Sequence, residues 1–279
     1  MTAVALALAA SCCWGTSDFI GGLQTRRIPV PVVLAVVQGT GLVFVMIIIA
    51  ATGEPWPATR AAVLSVVAGA AGIVALGCFY RGLAVGTMSI VAPISATGVV
   101  LPVVVGVATG DALSALVSVG LVVTVAGVVL ASREQHEDEQ RAADARLGVL
   151  LALAAAVGFG SYFVLSDSAA DASVLWLLAL ARLFAVPVLL VIARARAMPA
   201  PRGRAVPLLV VAGTLDTTAT GLYGLANTHG ALAIVSVVGS LYPLTTVLLA
   251  RVVLGERIRP VQRVGVAAAL IGVALIAAG

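Results

Sequence analysis

Charge is what this chain has least of. Asp, Glu and Arg together make up 10% of 279 residues, and all sixteen basic side chains are arginine, with no lysine. Soluble domains carry about 25% charge, so a water-solvated globule is excluded. Histidine is nearly absent, and His136 and His229 stand far apart without the neighbours a metal ion needs. No nucleophile has a base in reach, so an intramembrane enzyme is disfavoured and no metal or cofactor site is expected. Cysteine is equally sparse. Cys12, Cys13 and Cys78 lie inside apolar runs, and adjacent cysteines are poorly placed to bridge, so they read as packing residues. A basic groove with interleaved aromatics is also missing, which argues against nucleic acid as a partner.

What is there is hydrocarbon. Apolar residues reach 61%, and the chain divides into apolar runs at 2–22, 30–51, 61–82, 84–106, 115–132, 147–166, 172–193, 205–226, 230–251 and 262–279. Each run can cross about 30 Å of bilayer at about 1.5 Å per residue. The expected fold is all-α, with ten transmembrane helices. No basic region precedes the first run, so it is expected to be a span and not a signal peptide.

Arginine is distributed on one side. Loops after the odd-numbered spans hold Arg26, Arg27, Arg81, Arg133, Arg141, Arg146, Arg194, Arg196, Arg202, Arg204, Arg251, Arg257, Arg259 and Arg263, whereas the opposite loops hold only Arg60. The positive-inside rule puts the odd loops in the cytoplasm and both termini outside, in an inner (plasma) membrane. The net charge of +4 follows from this asymmetry.

The chain is also a duplication. In 241–279 an apolar helix containing Pro243 leads to a Gly255-Glu256-Arg257 turn and a helix with Gly265 and Gly272 seven apart. Residues 101–132 repeat the pattern with Pro102, Gly110-Asp111, Gly120 and Gly127. The first copy is four residues shorter between proline and turn, about one helical turn, so the helix faces still match. The repeats span 1–132 and 147–279, joined by a charged, solvated linker at 133–146. Five helices per repeat is an odd number, so the second copy enters from the opposite side and the halves are inverted.

Polar residues inside the spans are few. Ser11, Gly15, Asp18 and Gly22 share one helix face, with Asp18 either reaching interfacial water or serving as a proton-coupling or amine-binding acid. Trp14 is an interfacial anchor or a cavity wall. Gln38 requires a hydrogen-bonding partner in hydrocarbon. Ser89, Pro93 and Thr97 share a face, matched by Ser236, Gly239, Ser240 and Pro243. Phe159-Gly160-Ser161 echoes Trp14-Gly15-Thr16, with Phe163 standing where Asp18 stood. Arg182 and Asp216 each lie twelve residues from the same arginine-bearing loop, so they reach the same depth and can pair near the midplane. That pair is structural, or else it opens when Arg182 takes an anion.

These features resemble the EamA family of the drug/metabolite transporter superfamily. The Trp14-Gly15 pair, Arg182, the YPLTTVLLARVVLGERI segment and the closing Gly-x6-Gly helix carry the resemblance over nearly the whole chain. It implies inverted halves around a central cavity and movement of small metabolites, often amino acids or related compounds exported from bacteria. By this resemblance the cavity positions are Trp14, Gln38, Tyr80, Thr97, Ser161, Tyr162, Arg182, Tyr223, Ser240 and Tyr242, with Asp18 and Asp216 as coupling candidates. The partners are then a small-molecule solute, the lipid bilayer and, for a driven carrier, protons. Because the duplication supplies an internal pair, a monomer suffices. Alternating access would move the two five-helix halves around a midplane site. The competing readings are uptake of a sugar or nucleotide conjugate and a non-transporting scaffold or sensor.

Overall fold

The computed structural model describes residues 2–108, 114–131, 139–170, 173–229, 238–239 and 241–278. Among them there are helices and no strands. They are α1 (Thr2–Thr25), α2 (Val30–Thr52), α3 (Thr59–Val85), α4 (Met88–Ala96), α5 (Val100–Ala108), α6 (Ala115–Ala131), α7 (Glu139–Ala170), α8 (Val174–Ala195), α9 (Ala205–His229), α10 (Tyr242–Val253) and α11 (Pro260–Ala278). Eight of the described helical segments are long and apolar enough to span a membrane, and Ala115–Ala131 and Tyr242–Val253 are shorter apolar helices. This is a multi-pass membrane protein.

The run expected at 84–106 is broken. Its α4 and α5 are joined by a 3-10 turn at Thr97–Val99. Proline explains the place: Pro102 has no N–H for the Gly98 carbonyl and its ring crowds that group, so the turn before it tightens. The matching Pro243 sits in the first turn of α10, preceded by the non-helical Leu241. Both copies therefore interrupt the same span at the same proline. Residues 139–146, expected in the linker, instead begin α7, because the sequence EQRAADAR is rich in strong helix formers. Residues 133–138, with His136, and the turn at Gly110-Asp111 lie outside the described residues, as do Ser236 and Ser240.

The surface is inside-out relative to a soluble domain. Val122 and Val252 are 70% and 72% exposed, while Ser17, Ser89, Thr246 and Arg182 are buried. Lipid accepts the valines at no cost, and backbone polar groups are closed within the helices.

Packing runs across the repeats. The most extensive helix pairs are α3 with α7, α6 with α11, and α1 with α9, followed by α2 with α8, α3 with α8 and α2 with α9. Each is either its own partner under the inverted repeat or one of a matched pair. Two lobes result, α3–α4–α7 and α9–α10–α1, each drawing helices from both repeats. Helices α2 and α8 bridge them along one side, while α6 packs on α11 and α11 on α4. The two sequence repeats thus do not form separate halves, and the rigid halves expected above are replaced by mixed lobes. A helix buries its face where small residues let a neighbour approach, and in the most extensive pairs that neighbour belongs to the other copy.

The repeated glycines meet one another. A Cβ on Gly120 would collide with the Gly272 backbone, one on Gly127 with Ala269, and one on Gly265 with Ala131. The two Gly-x6-Gly helices cross backbone to backbone, as small residues permit in a membrane. Gly15 similarly abuts Tyr242 and Thr245, while Gly160, its counterpart in the second copy, abuts Gly98 and Leu101. At the first of these crossings the Thr246 hydroxyl donates to the Gly15 carbonyl at 3.0 Å.

Candidate functional site

Between the lobes, a polar group forms at mid-depth. Arg182 lies about 12 Å along α8 and Asp216 about 16 Å along α9 at 1.5 Å per residue. Arg182 Nη2 donates to Asp216 Oδ2 at 2.8 Å, and Nη1 reaches the Leu178 carbonyl at 3.4 Å. The arginine side chain is 6% exposed and the aspartate 30%, so the pair opens toward space on its carboxylate side. Arg182 Nε is buried with no hydrogen-bond partner among the described residues. Gly41 of α2 makes room for the guanidinium, since a Cβ there would stand 2.7 Å from both Arg182 Nε and Thr217 Oγ1. In the sequence Gly41 has one signal, its place three residues after Gln38 in the helix that copies α8.

Asp18 of α1 is half-buried and within electrostatic range of Asp216. It makes no ion pair among the described residues. One turn before it, on the same face, Trp14 packs against Tyr223 of α9 with ring centroids 5.5 Å apart and against Tyr242 of α10 at 6.5 Å. Tyr162 of α7 is within electrostatic range of Arg182 and Asp216 and lies over Gly72 of α3. Both lobes contribute to this group, as do α1, α7, α8, α9 and α10.

Other expected positions are placed differently. Tyr80 is 2% exposed in the main apolar core, its ring pressed against Gly21, and it is within electrostatic range of Asp18 and Asp216. Thr97 sits in the 3-10 turn and donates to the Ile94 carbonyl at 2.7 Å, while Ser161 donates to Val157 at 2.9 Å. Both hydroxyls are engaged within their own helices. The half-buried Gln38 amide has no hydrogen bond among the described residues, in place of the interhelical bond expected for it.

A second constellation closes the arginine-rich end. Glu256 reaches from the α10–α11 turn into the first repeat, where Oε1 accepts from the Met88 N–H at 3.2 Å and Oε2 from the Ser89 N–H at 3.0 Å. Oε2 also accepts from the Ser89 hydroxyl at 2.9 Å, and Oε1 from Arg26 Nη2 at 3.3 Å. Thr87, the residue in the N-cap position of α4, makes no side-chain cap, so a carboxylate from the other repeat satisfies those orphan N–H groups and meets the positive end of the helix. Gly255 has φ 66°, a left-handed turn that suits glycine and swings Glu256 back toward α4. In the sequence this Gly-Glu-Arg turn stands out as part of the repeat, without a role for Glu256. At the opposite end, Ser173 caps α8 and donates to Glu54 Oε1 at 2.7 Å, and Trp176 Nε1 donates to the Glu54 carbonyl at 3.2 Å.

Chemically, the central group offers one charged guanidinium, two carboxylates and an aromatic wall. It suits a small solute with polar and apolar parts. The described residues hold no group of three or more His, Cys, Asp or Glu side chains arranged to bind a metal.

A search of curated proteins finds no match. A solved crystal structure, described only as "Crystal structure of protein", aligns with 98% of this chain and 95% of its own, at 17% identity and a TM-score of 0.65. That likeness establishes the fold alone. The model of the EamA-like transporter family matches twice, over residues 1–133 and 146–278, the two copies read from the repeat. With both halves matched, the chain belongs to the EamA-like transporter family.

Proposed function

We propose that this protein carries small, partly apolar metabolites across the plasma membrane by alternating access, and that amino acids or related compounds are its exported substrates. The arginine-rich end is then cytoplasmic, and the protein works as a monomer without cofactor or catalytic chemistry. One observation carries the reading: Arg182, Asp216, Asp18 and the Trp14–Tyr223–Tyr242 cluster meet between lobes built from both repeats. An amino acid presents a carboxylate, an amine and a side chain. Arg182 suits the first, Asp18 the second, and the aromatic cluster the third. The lobes rock against each other around this group, and the breaks at Thr97–Val99 and Leu241 give the interrupted spans places to bend.

Asp18 is the proposed coupling acid. Among the described residues it is the carboxylate at the site without an ion pair, whereas Asp216 is held by Arg182. A phosphate-bearing conjugate is less well served, because it brings more negative charge than a single carboxylate to one guanidinium that is shared with Asp216, at a site that also holds Asp18.

The test is uptake and efflux in proteoliposomes of a labelled amino-acid pool, with and without an imposed pH gradient. Wild type is expected to accumulate solute against its gradient at the expense of the proton gradient. Asp18→Asn is expected to exchange solute with weakened affinity and to ignore the pH gradient, and Arg182→Gln to do neither. Gradient-driven accumulation that persists in Asp18→Asn would remove Asp18 from coupling. Transport of sugar or nucleotide conjugates in place of amino acids would overturn the substrate assignment.

A further inference from the structure

A cavity of about 680 Å³ opens at the arginine-rich end between α10 and α11. Arg251 closes α10, Arg257 lies in the turn and Arg263 in the first turns of α11, and all three line it. Each is exposed, and none is ion-paired among the described residues. The acid in the wall, Glu256, is engaged by Arg26, Met88 and Ser89, leaving the cavity with an uncompensated positive charge. Below the arginines the wall becomes hydrocarbon, with Leu244 and Val247 on α10 and Val266 and Leu270 on α11. The outer faces of both helices are bare apolar surface: Leu248 is 61% exposed, Val264 60% and Ile271 57%.

A cationic rim continuous with an apolar, lipid-facing wall matches one kind of molecule. We propose that this cavity binds an anionic phospholipid, its phosphate held by Arg251, Arg257 and Arg263 and its acyl chains lying along α10 and α11. Basic cavities between helices at a membrane surface recognise phosphate headgroups in this way. A soluble anion would use the arginines and leave the apolar wall unfilled. Ser89 and Glu256 also line the cavity, so the bound headgroup adjoins the contact that ties the turn of the second repeat to α4. Lipid occupancy holds that contact closed.

The experiment uses the full-length protein in neutral detergent, with native mass spectrometry and thermal unfolding as readouts. The probes are phosphatidylglycerol, phosphatidylcholine and inorganic phosphate. Phosphatidylglycerol is expected to give a discrete one-lipid adduct and a higher unfolding temperature, and the other two to give neither. The triple variant Arg251→Gln, Arg257→Gln, Arg263→Gln is expected to bind phosphatidylglycerol at least about tenfold more weakly, each arginine near an anionic headgroup contributing separately. If the triple variant does not fold, Arg257→Gln and Arg263→Gln singly are expected to weaken the adduct severalfold. Arg194→Gln, Arg196→Gln, Arg204→Gln, at the same end and away from the cavity, is the control and keeps wild-type binding. An equal loss in the control would mean diffuse surface charge and overturn the site. An equal shift with inorganic phosphate would overturn the lipid as its occupant.

Discussion

Glu256 caps a helix that belongs to the other copy of the repeat. Its Oε2 lies 3.0 Å from the Ser89 N–H and 2.9 Å from the Ser89 hydroxyl, so the first turn of α4 is completed by a residue 167 positions later in the chain. The contact joins one lobe to a helix of the other at the arginine-rich end. For a carrier that alternates, it is a natural closure for that end.

Glu256→Gln keeps the shape, removes the charge and replaces one accepting oxygen with an NH2 that cannot accept, so the bonds on one side are lost and those on the other become neutral. The expected loss of stability is about 2 kcal/mol, the value of a hydrogen bond to a charged group. Labelling of a single cysteine at Ser89 by a membrane-impermeant thiol reagent, in a background lacking Cys12, Cys13 and Cys78, is expected to speed up when Glu256→Gln is added. Unchanged labelling would mean the contact does not close that end.

Asp216→Asn leaves Arg182 buried without its counter-charge. Breaking one side of a buried pair costs about 3–5 kcal/mol, and thermal unfolding in detergent should show it. The double variant Arg182→Gln, Asp216→Asn is expected to recover most of that stability while remaining inactive. Recovery of transport along with stability would make the pair structural only.

Gly127→Leu forces α6 and α11 apart where a Cβ would already collide with Ala269. Overpacking typically costs about 1–3 kcal/mol, occasionally more, and here the obstacle is backbone. The expected result is a lower unfolding temperature, whereas Gly39→Ala, with nothing within 4 Å of its Cβ, should be nearly silent. Comparable unfolding of the two variants would contradict the crossing.

Trp14→Ala opens the aromatic cluster with Tyr223 and Tyr242. Solutes with large apolar side chains are expected to lose about tenfold in apparent affinity, in line with about 1.4 kcal/mol of lost contact, while small polar solutes change little. Trp14→Phe should restore most of the loss. A uniform loss for all solutes would place Trp14 in folding and not in selectivity.

Much of this protein was legible as text because lipid enforces simple rules. Long apolar runs have to be helices, since no other open structure satisfies its backbone in hydrocarbon. The glycine spacing and the paired prolines exposed the duplication, and five spans per copy implied inversion. Arg182 and Asp216 could be matched because depth follows from residue count along a helix, and charges at one depth in hydrocarbon seek each other.

Other features depend on which helix neighbours which, and spacing along one chain does not encode that. The sequence shows two copies, but only tertiary packing interleaves them into mixed lobes, because glycines such as Gly15, Gly127 and Gly160 meet helices of the other copy. Gln38 read as an amide in need of a partner, yet the fold gives it none among the described residues, while its neighbour Gly41 accommodates the Arg182 guanidinium. Thr97 and Ser161 read as cavity hydroxyls and are engaged by carbonyls one turn back, a local bond that competes with any ligand. Glu256 read as part of a turn. Its partners, two N–H groups and a hydroxyl, are backbone and side-chain groups of a distant helix end, and composition says nothing about where a helix end will lie. The sequence by itself determined a duplicated, inverted, ten-helix membrane chain with a buried Arg–Asp pair. The tertiary structure alone decided which faces meet, because close approach needs a glycine on one helix and the right backbone stretch or side chain opposite it on another.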